Sequence, residues 1–462
     1  MTDKSIPQSQ VPLKEDKYSD DKKEGTFRRF IEAEKRNTPV LFWAFLVGCL
    51  SGLVGAVFRI FLVDSTIWRE SFGNLTKGYT GLTWVLPTLI SALMVYLSLL
   101  LVRRFAPETG GSGVHEIEGA LDELRPVRWK RVLPVKFLGG ILALGGGMVL
   151  GREGPTIQMG GNVGKMVGDL FRVPKEEVHV LIAAGAGAGL SAAFNAPLAG
   201  ILFVIEEMRP QFKFTFLSFQ SVMIASAMSD IVLRSLMGQG PDIEIPLFPA
   251  PRLSSLWLFI VLGAIFGFFG FLFNKLLVMS LDFFSGMRGW SYSLMGLYVG
   301  AIIGFLGWLS PNIIGGGNDL ITRLAESSFP LTTIFILFIA RYGTTIFSYG
   351  SGAPGGIFAP MLALGTLFGL WFGHIVDGWF PSLIIHPGIF AVAGMGALFS
   401  ATVRAPLTGI ALAIEVTSNY SQILPLILTC ISATVVAQGL GGKPVYAVLL
   451  DRTLNLEKIK KF

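Results

Sequence analysis

Apolar segments long enough to cross a membrane constrain this chain more than any other feature. A membrane-spanning helix needs about 20 predominantly apolar residues. Five segments reach that length with no formally charged residue: 40–58, 81–102, 256–274, 291–311 and 419–438. Six others are shorter or are interrupted by glycine, proline or a single charge: 132–150, 178–205, 214–229, 331–349, 356–375 and 388–414. The sequence therefore predicts ten or more helical pieces in one continuous transmembrane domain.

The composition fits an all-α polytopic membrane protein. Apolar residues make up 52% of the 462 residues and charged residues 15%, against about 25% charged in typical soluble proteins. The 56 glycines suit helices that pack closely through small side chains. Cys49 and Cys430 are the only cysteines and both lie in apolar segments, which excludes a secreted disulfide scaffold. The net charge of +6 forms no dense basic patch, so we expect no nucleic-acid partner.

The charged segments predict the orientation. Residues 1–38 contain nine Lys or Arg and eight Asp or Glu and lack the apolar core of a signal peptide, so we expect a partly disordered cytoplasmic tail. The connection 103–131 carries six basic residues, whereas 64–79 carries only Arg69 and Lys77. Because basic loops stay in the cytoplasm, the N-terminus and the 103–131 loop are predicted to lie there. Since the chain ends shortly after the last span, we expect no soluble C-terminal domain.

The sequence contains an internal repeat. Residues 185–206 (GAGAGLSAAFNAPLAGILFVIE) match residues 394–415 (GMGALFSATVRAPLTGIALAIE) at a constant offset of 209, which is 394 minus 185. This offset pairs Gly185 with Gly394, Ser191 with Ser400, Pro197 with Pro406 and Glu206 with Glu415. GREGP at 151–155 matches GIFAP at 356–360 at an offset of 205, and GGSG at 110–113 matches GGG at 315–317 at the same offset. We therefore predict two repeats, about 40–235 and 253–440, with a substrate site at their interface. The match leaves open whether the second copy is inverted, and the alternative is chance similarity between glycine-rich helices.

The repeated landmarks are glycine-rich helix interruptions, and two of them end in proline, which suits the first turn of a helix. Inside a membrane, unpaired backbone groups are tolerated only where they line a cavity or are buried in protein. A helix that begins there directs free N–H groups and the positive end of its dipole at the cavity, which makes an anion site. The breaks at 110–113, 151–155 and 356–360 supply three such ends, and Ser112 adds a hydroxyl donor. The alternative is that the glycines serve only close helix packing.

Two acidic residues are candidate proton carriers. Glu153 lies at a predicted helix start, where a carboxylate competes with an anion for the same N–H groups, so protonation and anion binding are coupled. The alternative is a charge that only stabilises the helix. Glu206 has the repeat partner Glu415, which predicts a shared structural role, whereas Glu207 pairs with Val416 and is predicted to be specialised. A solvated helix end is the alternative for Glu207.

GSG at 111–113, GREGP at 151–155, GGIFAP at 355–360 and GGKPVY at 441–446 occur in that order. Together they resemble the signature regions of the CLC chloride channels and chloride/proton antiporters, most closely the bacterial ClcA-type exchangers, over about residues 40–450. The resemblance implies two inverted repeats of tilted and broken helices with an anion site near the midplane. It also implies a homodimer in the bacterial inner membrane, with one anion pathway per subunit, and a last pore-lining helix before a short cytoplasmic C-terminus. The expected substrates are chloride and protons, without a cofactor or an enzymatic reaction.

The resemblance further implies roles for individual residues. Glu153 resembles the gating glutamate, whose carboxylate occupies the outer anion site or swings away when protonated. Glu207 resembles the internal glutamate that passes protons toward the cytoplasm. The hydroxyl groups and backbone amides that correspond to chloride ligands belong to Ser112, Ile357, Phe358 and Tyr446. The motif residues are Gly111, Ser112, Gly113, Gly151, Arg152, Glu153, Gly154, Pro155, Gly356, Ile357, Phe358, Ala359 and Pro360.

Two other functions remain open at this point. Acids at positions 153 and 207 favour exchange, and the alternative is a passive chloride channel on the same fold. An intramembrane hydrolase would instead use Ser112 as nucleophile and His115 as base, although no third orienting group is evident. His115 stands where the family has proline, so the helix start there is less pre-organised. Histidine at this position either titrates near neutral pH and tunes access or is simply tolerated.

Two basic residues near the breaks also have alternative interpretations. Lys136 begins an apolar helix, and Glu118 is its predicted partner. Arg152 beside the gate either attracts anions to the outer mouth or contacts a lipid headgroup. The scattered residues His179, His374 and His386 show no metal-ligand spacing, so we expect no metal site.

Overall fold

The computed structural model describes residues 16–75, 82–208, 215–326, 329–383 and 385–460. Within these ranges the chain forms eighteen α-helices. Eight of them precede residue 238: α1 (Asp16–Leu75), α2 (Val85–Phe105), α3 (Val114–Leu121), α4 (Trp129–Gly145), α5 (Glu153–Leu170), α6 (Lys175–Phe194), α7 (Pro197–Glu206) and α8 (Phe216–Met237). Ten follow it: α9 (Leu256–Ser285), α10 (Gly289–Ser293), α11 (Met295–Leu309), α12 (Asn318–Glu326), α13 (Leu331–Gly350), α14 (Phe358–Trp379), α15 (Gly388–Val403), α16 (Pro406–Thr417), α17 (Ile423–Gly439) and α18 (Val445–Lys460).

These helices confirm the predicted all-α membrane architecture. Among the described residues, eight helices are long and apolar enough to cross a membrane, and four apolar ones are shorter, with 10–17 residues. The segment 178–205 is two helices, because Asn195 adopts a left-handed conformation (φ 56°) and Pro197 starts α7. Arg404 (φ 75°) and Pro406 divide the second copy in the same way. Proline lacks an N–H donor, so it begins a helix more readily than it continues one.

The first helix is longer than the sequence predicts. α1 begins at Asp16, inside the predicted tail, and residues 1–15 lie outside the described residues. It continues to Leu75, so most of the predicted 64–79 loop is helical. The apolar part suited to span a membrane is Pro39–Phe72. The cytoplasmic location of the tail stays a prediction.

Two repeat-related glutamates show that the repeats are inverted. The Glu206 carboxylate at the end of α7 accepts hydrogen bonds from the backbone N–H groups of Leu407 (3.0 Å) and Thr408 (2.8 Å) at the start of α16. The Glu415 carboxylate near the end of α16 accepts them from Leu198 (3.0 Å) and Ala199 (2.7 Å) at the start of α7. Each helix therefore places its C-terminal end beside the N-terminal end of the other. α7 and α16 are antiparallel, which also confirms the shared structural role predicted for the two glutamates.

Glycine contacts bring the central helices of each repeat together. A Cβ on Gly160 of α5 would overlap the carbonyl oxygen of Gly185 of α6, and a Cβ on Gly185 would overlap that of Gly160. Gly365 of α14 and Gly394 of α15 make the corresponding contact in the second repeat. Such close approach of two backbones requires residues without side chains at the crossing. The predicted packing role of the glycines therefore holds at these crossings.

We expect substitution at these crossings to prevent folding. Gly160→Leu should push α5 away from α6, and its repeat counterpart Gly365→Leu should push α14 away from α15. The obstructing atoms belong to the backbone and cannot rotate away. Fluorescence-detected gel filtration after detergent extraction should show aggregated or absent protein for both. Gly343→Leu on α13 is the matched control, since no atom lies within 4 Å of a Cβ built there. A monodisperse Gly160→Leu protein would contradict this account of the crossing.

Candidate functional site

Three glycine-rich breaks meet inside the molecule and are hydrogen-bonded to one another. Gly151 and Gly356 exchange two backbone hydrogen bonds, with N···O distances of 2.8 and 2.7 Å. The first break joins the same group, because the Gly355 N–H donates to the Gly111 carbonyl at 3.0 Å. The helices that begin after these breaks are α3, α5 and α14. The structure therefore brings together the three helix N-termini that the sequence predicts.

Two buried cations hold the carbonyl groups of the breaks. The Lys136 ammonium donates to the carbonyls of Thr109 (2.9 Å), Gly111 (2.7 Å) and Ser112 (3.1 Å). An ammonium has three donors and all three are used, so the predicted pairing of Lys136 with Glu118 is wrong.

Arg341 on α13 does the same in the second repeat. Its guanidinium donates to the carbonyls of Asn312 (2.8 Å), Ile314 (3.0 Å) and Gly315 (2.7 Å). Lys136 and Arg341 are separated by 205 residues, the offset that relates the breaks. Our sequence reasoning missed Arg341, although applying the offset to Lys136 finds it.

Two of the predicted chloride ligands are hydroxyl groups buried inside the molecule. Neither the Ser112 nor the Tyr446 hydroxyl has a hydrogen-bond partner among the described residues, and both side chains are fully buried. Buried hydroxyls are normally bonded, so these two are candidate donors to a ligand. The Phe358 ring lies 6.0 Å from the Tyr446 ring, centroid to centroid. Ile357 and Phe358 open α14, where the first N–H groups have no acceptor in their own helix.

Glu153 is the first residue of α5, but its carboxylate binds the neighbouring helix. Oε2 accepts a hydrogen bond from the Ala359 N–H of α14 at 3.4 Å, while Oε1 has no hydrogen-bond partner among the described residues. The side chain is fully buried and passes over Gly151, where a Cβ would collide with the carboxylate. The carboxylate thus occupies a position on the N-terminus of α14 that an anion would also favour. This position agrees with a carboxylate that competes with the anion.

Glu207 differs from its neighbour Glu206. Glu206 caps α16, whereas the half-buried side chain of Glu207 forms no hydrogen bond among the described residues. Glu207 instead interacts electrostatically with Glu118 and Glu206, and the Tyr446 hydroxyl interacts with both Glu207 and Glu118. Glu118 on α3 is buried, and its Oε1 has no hydrogen-bond partner among the described residues. Glu207 and Glu118 are thus two acidic groups that both lie near the Tyr446 hydroxyl.

Arg152, which precedes Glu153, is held by the buried side chain of an aspartate. Asp242 forms ion pairs with Arg152 and with Arg59 of α1 (2.8 Å), and it accepts a hydrogen bond from the Asn318 amide (3.0 Å). Arg152 also donates to the Ala193 carbonyl at 2.8 Å. The alternative in which Arg152 contacts a lipid headgroup is therefore wrong. Asp242 lies in the connection between the repeats, where it has no repeat counterpart, and sequence reasoning missed it.

His115 is buried and does not bond to Ser112. Its Nδ1 has no hydrogen-bond partner among the described residues, and the Ser112 hydroxyl has none either. Among these residues, the hydrogen bond between nucleophile and base that the hydrolase alternative needs is therefore absent. α3 nevertheless begins at Val114 after a left-handed Gly113 (φ 82°), so the missing proline does not displace the helix start.

A cavity of about 680 Å³ leads to the first break. Its lining includes Gly110, Gly111, His115 and Tyr349. At its rim Arg125 pairs with Glu116 of α3 and Glu457 of α18. The cavity therefore extends as far as the glycines that directly precede Ser112.

Comparison with known proteins identifies this arrangement. Residues 94–438 match the family model described as Voltage gated chloride channel. The chain belongs to this family, the CLC proteins. The H(+)/Cl(-) exchange transporter ClcA of Vibrio parahaemolyticus is 51% identical over 437 residues, which cover 94% of each chain. Its Vibrio cholerae namesake is 52% identical over 439 residues, 94% of this chain and 93% of the relative.

Solved CLC structures share the fold. A structure described as a slow cyanobacterial Cl-/H+ antiporter superposes with a TM-score of 0.88 at 44% identity, over 90% of this chain and 98% of that chain. A eukaryotic CLC transporter superposes with a TM-score of 0.76 at 20% identity, over 89% of this chain and 73% of that chain. The inverted repeats and broken helices are therefore the CLC architecture.

In this CLC protein we expect Lys136 to be required for the shape of the first break. Lys136→Met leaves three buried carbonyls without a donor, at about 1–3 kcal/mol each. Thermal unfolding should occur about 5–10 °C lower, and calorimetry should show weaker chloride binding because Ser112 lies on this loop. Lys275→Met, an exposed change on α9, is the control and should leave both values unchanged. Unaltered unfolding of Lys136→Met would show that the three bonds do not support the break.

Proposed function

We propose that the protein is a secondary active antiporter that exchanges chloride for protons, with Glu153 coupling the two fluxes. The observation that carries this proposal is the Glu153 carboxylate bound at the Ala359 N–H, on the helix N-terminus that also provides the predicted chloride amides. One set of donors serves either the carboxylate or the anion, so chloride binding and deprotonated Glu153 exclude each other there. The relatives named H(+)/Cl(-) exchange transporter and the structure described as a Cl-/H+ antiporter support the same conclusion.

The chloride site in this proposal consists of donors without a formal charge. The hydroxyls of Ser112 and Tyr446 and the amides of Ile357 and Phe358 surround the ion, and the dipoles of α3 and α14 add positive potential. Hydroxyl and amide donors hold a halide while still allowing it to leave. Chloride reaches this site through the cavity beside the first break.

Protons take a separate route on one side of the site in this proposal. Glu207 loads a proton from the cytoplasm and passes it toward Glu153, past the Tyr446 hydroxyl with which it interacts. Protonated Glu153 loses its attraction to the α14 N-terminus and releases the position to chloride. A passive chloride channel on the same fold remains the second candidate, because it uses the same anion site without a proton step.

Liposome flux distinguishes the two functions. With a chloride gradient and no proton gradient, an antiporter moves protons uphill, and a channel leaves the external pH unchanged. We expect Glu207→Ala to retain chloride flux and to lower proton flux by about 100-fold or more, the usual contribution of a positioned proton carrier. We expect Glu153→Gln to lose proton movement and the dependence of chloride flux on pH.

Glu206→Gln is the matched control, because Glu206 is adjacent to Glu207 but caps α16. It should lower the unfolding temperature and keep proton coupling. Equal loss of coupling in Glu206→Gln and Glu207→Ala would indicate a general disturbance of α7. Chloride flux without proton movement in the unmodified protein would establish the channel.

We also propose that the protein is a homodimer joined at α7 and α16. Glu206 and Glu415 are only half-buried there, and a carboxylate that faces lipid is costly. The adjacent Leu198 and Leu407 are 50% and 54% exposed. A second copy with two-fold symmetry places this face against itself and removes the carboxylates from lipid.

Light scattering in detergent tests this interface. The unmodified protein should have the mass of two chains, and Leu198→Trp/Leu407→Trp should have the mass of one. Leu89→Trp on α2, at a side chain that is 59% exposed, is the control and should remain dimeric. A double variant that stays dimeric would exclude this face.

In this proposal the protein lies in a bacterial inner membrane with both termini in the cytoplasm. The six basic residues of 103–131 support that orientation. The C-terminal segment then brings the start of α18, with Tyr446, to the anion site from the cytoplasmic side.

A further inference from the structure

A basic cavity lies at the start of α4, away from the anion pathway. It has a volume of about 540 Å³ and is lined by Val127, Arg128, Trp129, Lys130, Arg131 and Asp169. Arg128 also lines the larger cavity beside the first break, so both cavities open on the same side of the molecule. Arg128, Lys130 and Arg131 are exposed, and Trp129 is half-buried. We call this cavity the basic pocket.

The positive charge of the basic pocket is not balanced by protein. Among the described residues, Lys130 and Arg131 have no ion-pair partner within 4.0 Å, and Arg128 reaches only Glu108, at 4.0 Å. The one acid in the lining, Asp169, is already engaged. It accepts a hydrogen bond from the Trp129 indole at 3.1 Å and pairs with Lys165.

The position of these charges on α4 makes them unfavourable for the isolated protein. Arg128 is the residue before the helix, and Lys130 and Arg131 lie in its first turn, where there is no acidic residue and no capping side chain. The start of a helix is the positive end of its dipole, so basic residues there are repelled. A bound anion removes that repulsion.

The surroundings of the basic pocket are those of a membrane surface. Leu170 and Phe171 directly follow Asp169 and are 61% and 50% exposed. Phe171 stacks on Trp43, with 4.3 Å between the ring centroids. Trp43 lies four residues after the start of the apolar part of α1. Trp and exposed apolar side chains beside basic residues are typical of the lipid headgroup level.

We propose that the basic pocket binds the headgroup of an anionic phospholipid. The phosphate lies among Arg128, Lys130 and Arg131, and an acyl chain lies over the exposed side chains of Leu170 and Phe171. Pockets of basic residues at helix ends recognise anionic headgroups in this way. Inorganic phosphate also carries negative charge, but it has no acyl chain to contact Leu170 and Phe171. The inference rests on the membrane-spanning fold and does not depend on exchange activity.

Thermal unfolding of the delipidated full-length protein in detergent tests this site. Phosphatidylglycerol should raise the unfolding temperature, and phosphatidylcholine or inorganic phosphate at the same concentration should not. Lys130→Gln/Arg131→Gln should weaken the response to phosphatidylglycerol by about 30-fold in lipid concentration, from the attraction expected of two basic residues near a lipid surface. The matched control is Arg104→Gln/Arg288→Gln, which removes the same charge from exposed positions on α2 and before α10.

Without lipid, the same double variant should change the unfolding temperature in the opposite direction or leave it unchanged. Because the two charges repel the α4 dipole, Lys130→Gln/Arg131→Gln should unfold at the same temperature as the unmodified protein or above it when no lipid is present. This also shows that the variant folds. An unchanged response of this variant to phosphatidylglycerol would overturn the proposal. Equal loss in the control variant, or an equal response to inorganic phosphate, would overturn it as well.

Discussion

The bonding of backbone groups where helices break inside the membrane is the constraint on which this structure depends. Hydrocarbon does not solvate N–H and C=O groups, so each break has to be bonded by protein or has to line a cavity. Lys136 and Arg341 satisfy carbonyl groups, and Gly151 and Gly356 satisfy each other. At the helices that begin after the breaks, the first N–H groups have no acceptor in their own helix. In the proposed function, the anion site is built from these N–H donors.

The positions of glycine and proline made most of the fold and of the breaks predictable from the sequence. A proline at a helix start and a glycine-rich break have local causes, so the spans, the breaks and the meeting of α3, α5 and α14 follow from composition and repeat offset. Arg341 is predictable in principle, because it lies one offset from Lys136. Asp242 is not, because it lies in the connection between repeats and has no counterpart. The direction of the second repeat also required coordinates, since a match of residues carries no information on antiparallel contact between α7 and α16.

The two repeats share a backbone and differ in their acids. At the offset of 205, Glu153 corresponds to Phe358, and at 209, Glu207 corresponds to Val416. Both candidate proton carriers therefore belong to the first repeat, whereas the second supplies the amides of α14. The residues that do match, Glu206 and Glu415, cap helices. The inverted repeats provide two similar backbones, and in the proposed exchange the unmatched acids make the pathway different on its two sides.

In the proposed exchange, that division couples proton and anion without a large movement. The Glu153 side chain starts on α5 of one repeat and ends on the Ala359 amide of α14 in the other. The dipole of α14 favours the charged carboxylate there, and burial opposes it. In the proposed mechanism, either a proton or a competing anion weakens the hold of the α14 N-terminus on the carboxylate, and rotation of the Glu153 side chain then vacates the position. The pairing of Gly151 with Gly356 fixes the two helix starts relative to each other, so the competition takes place at a site that does not itself have to move.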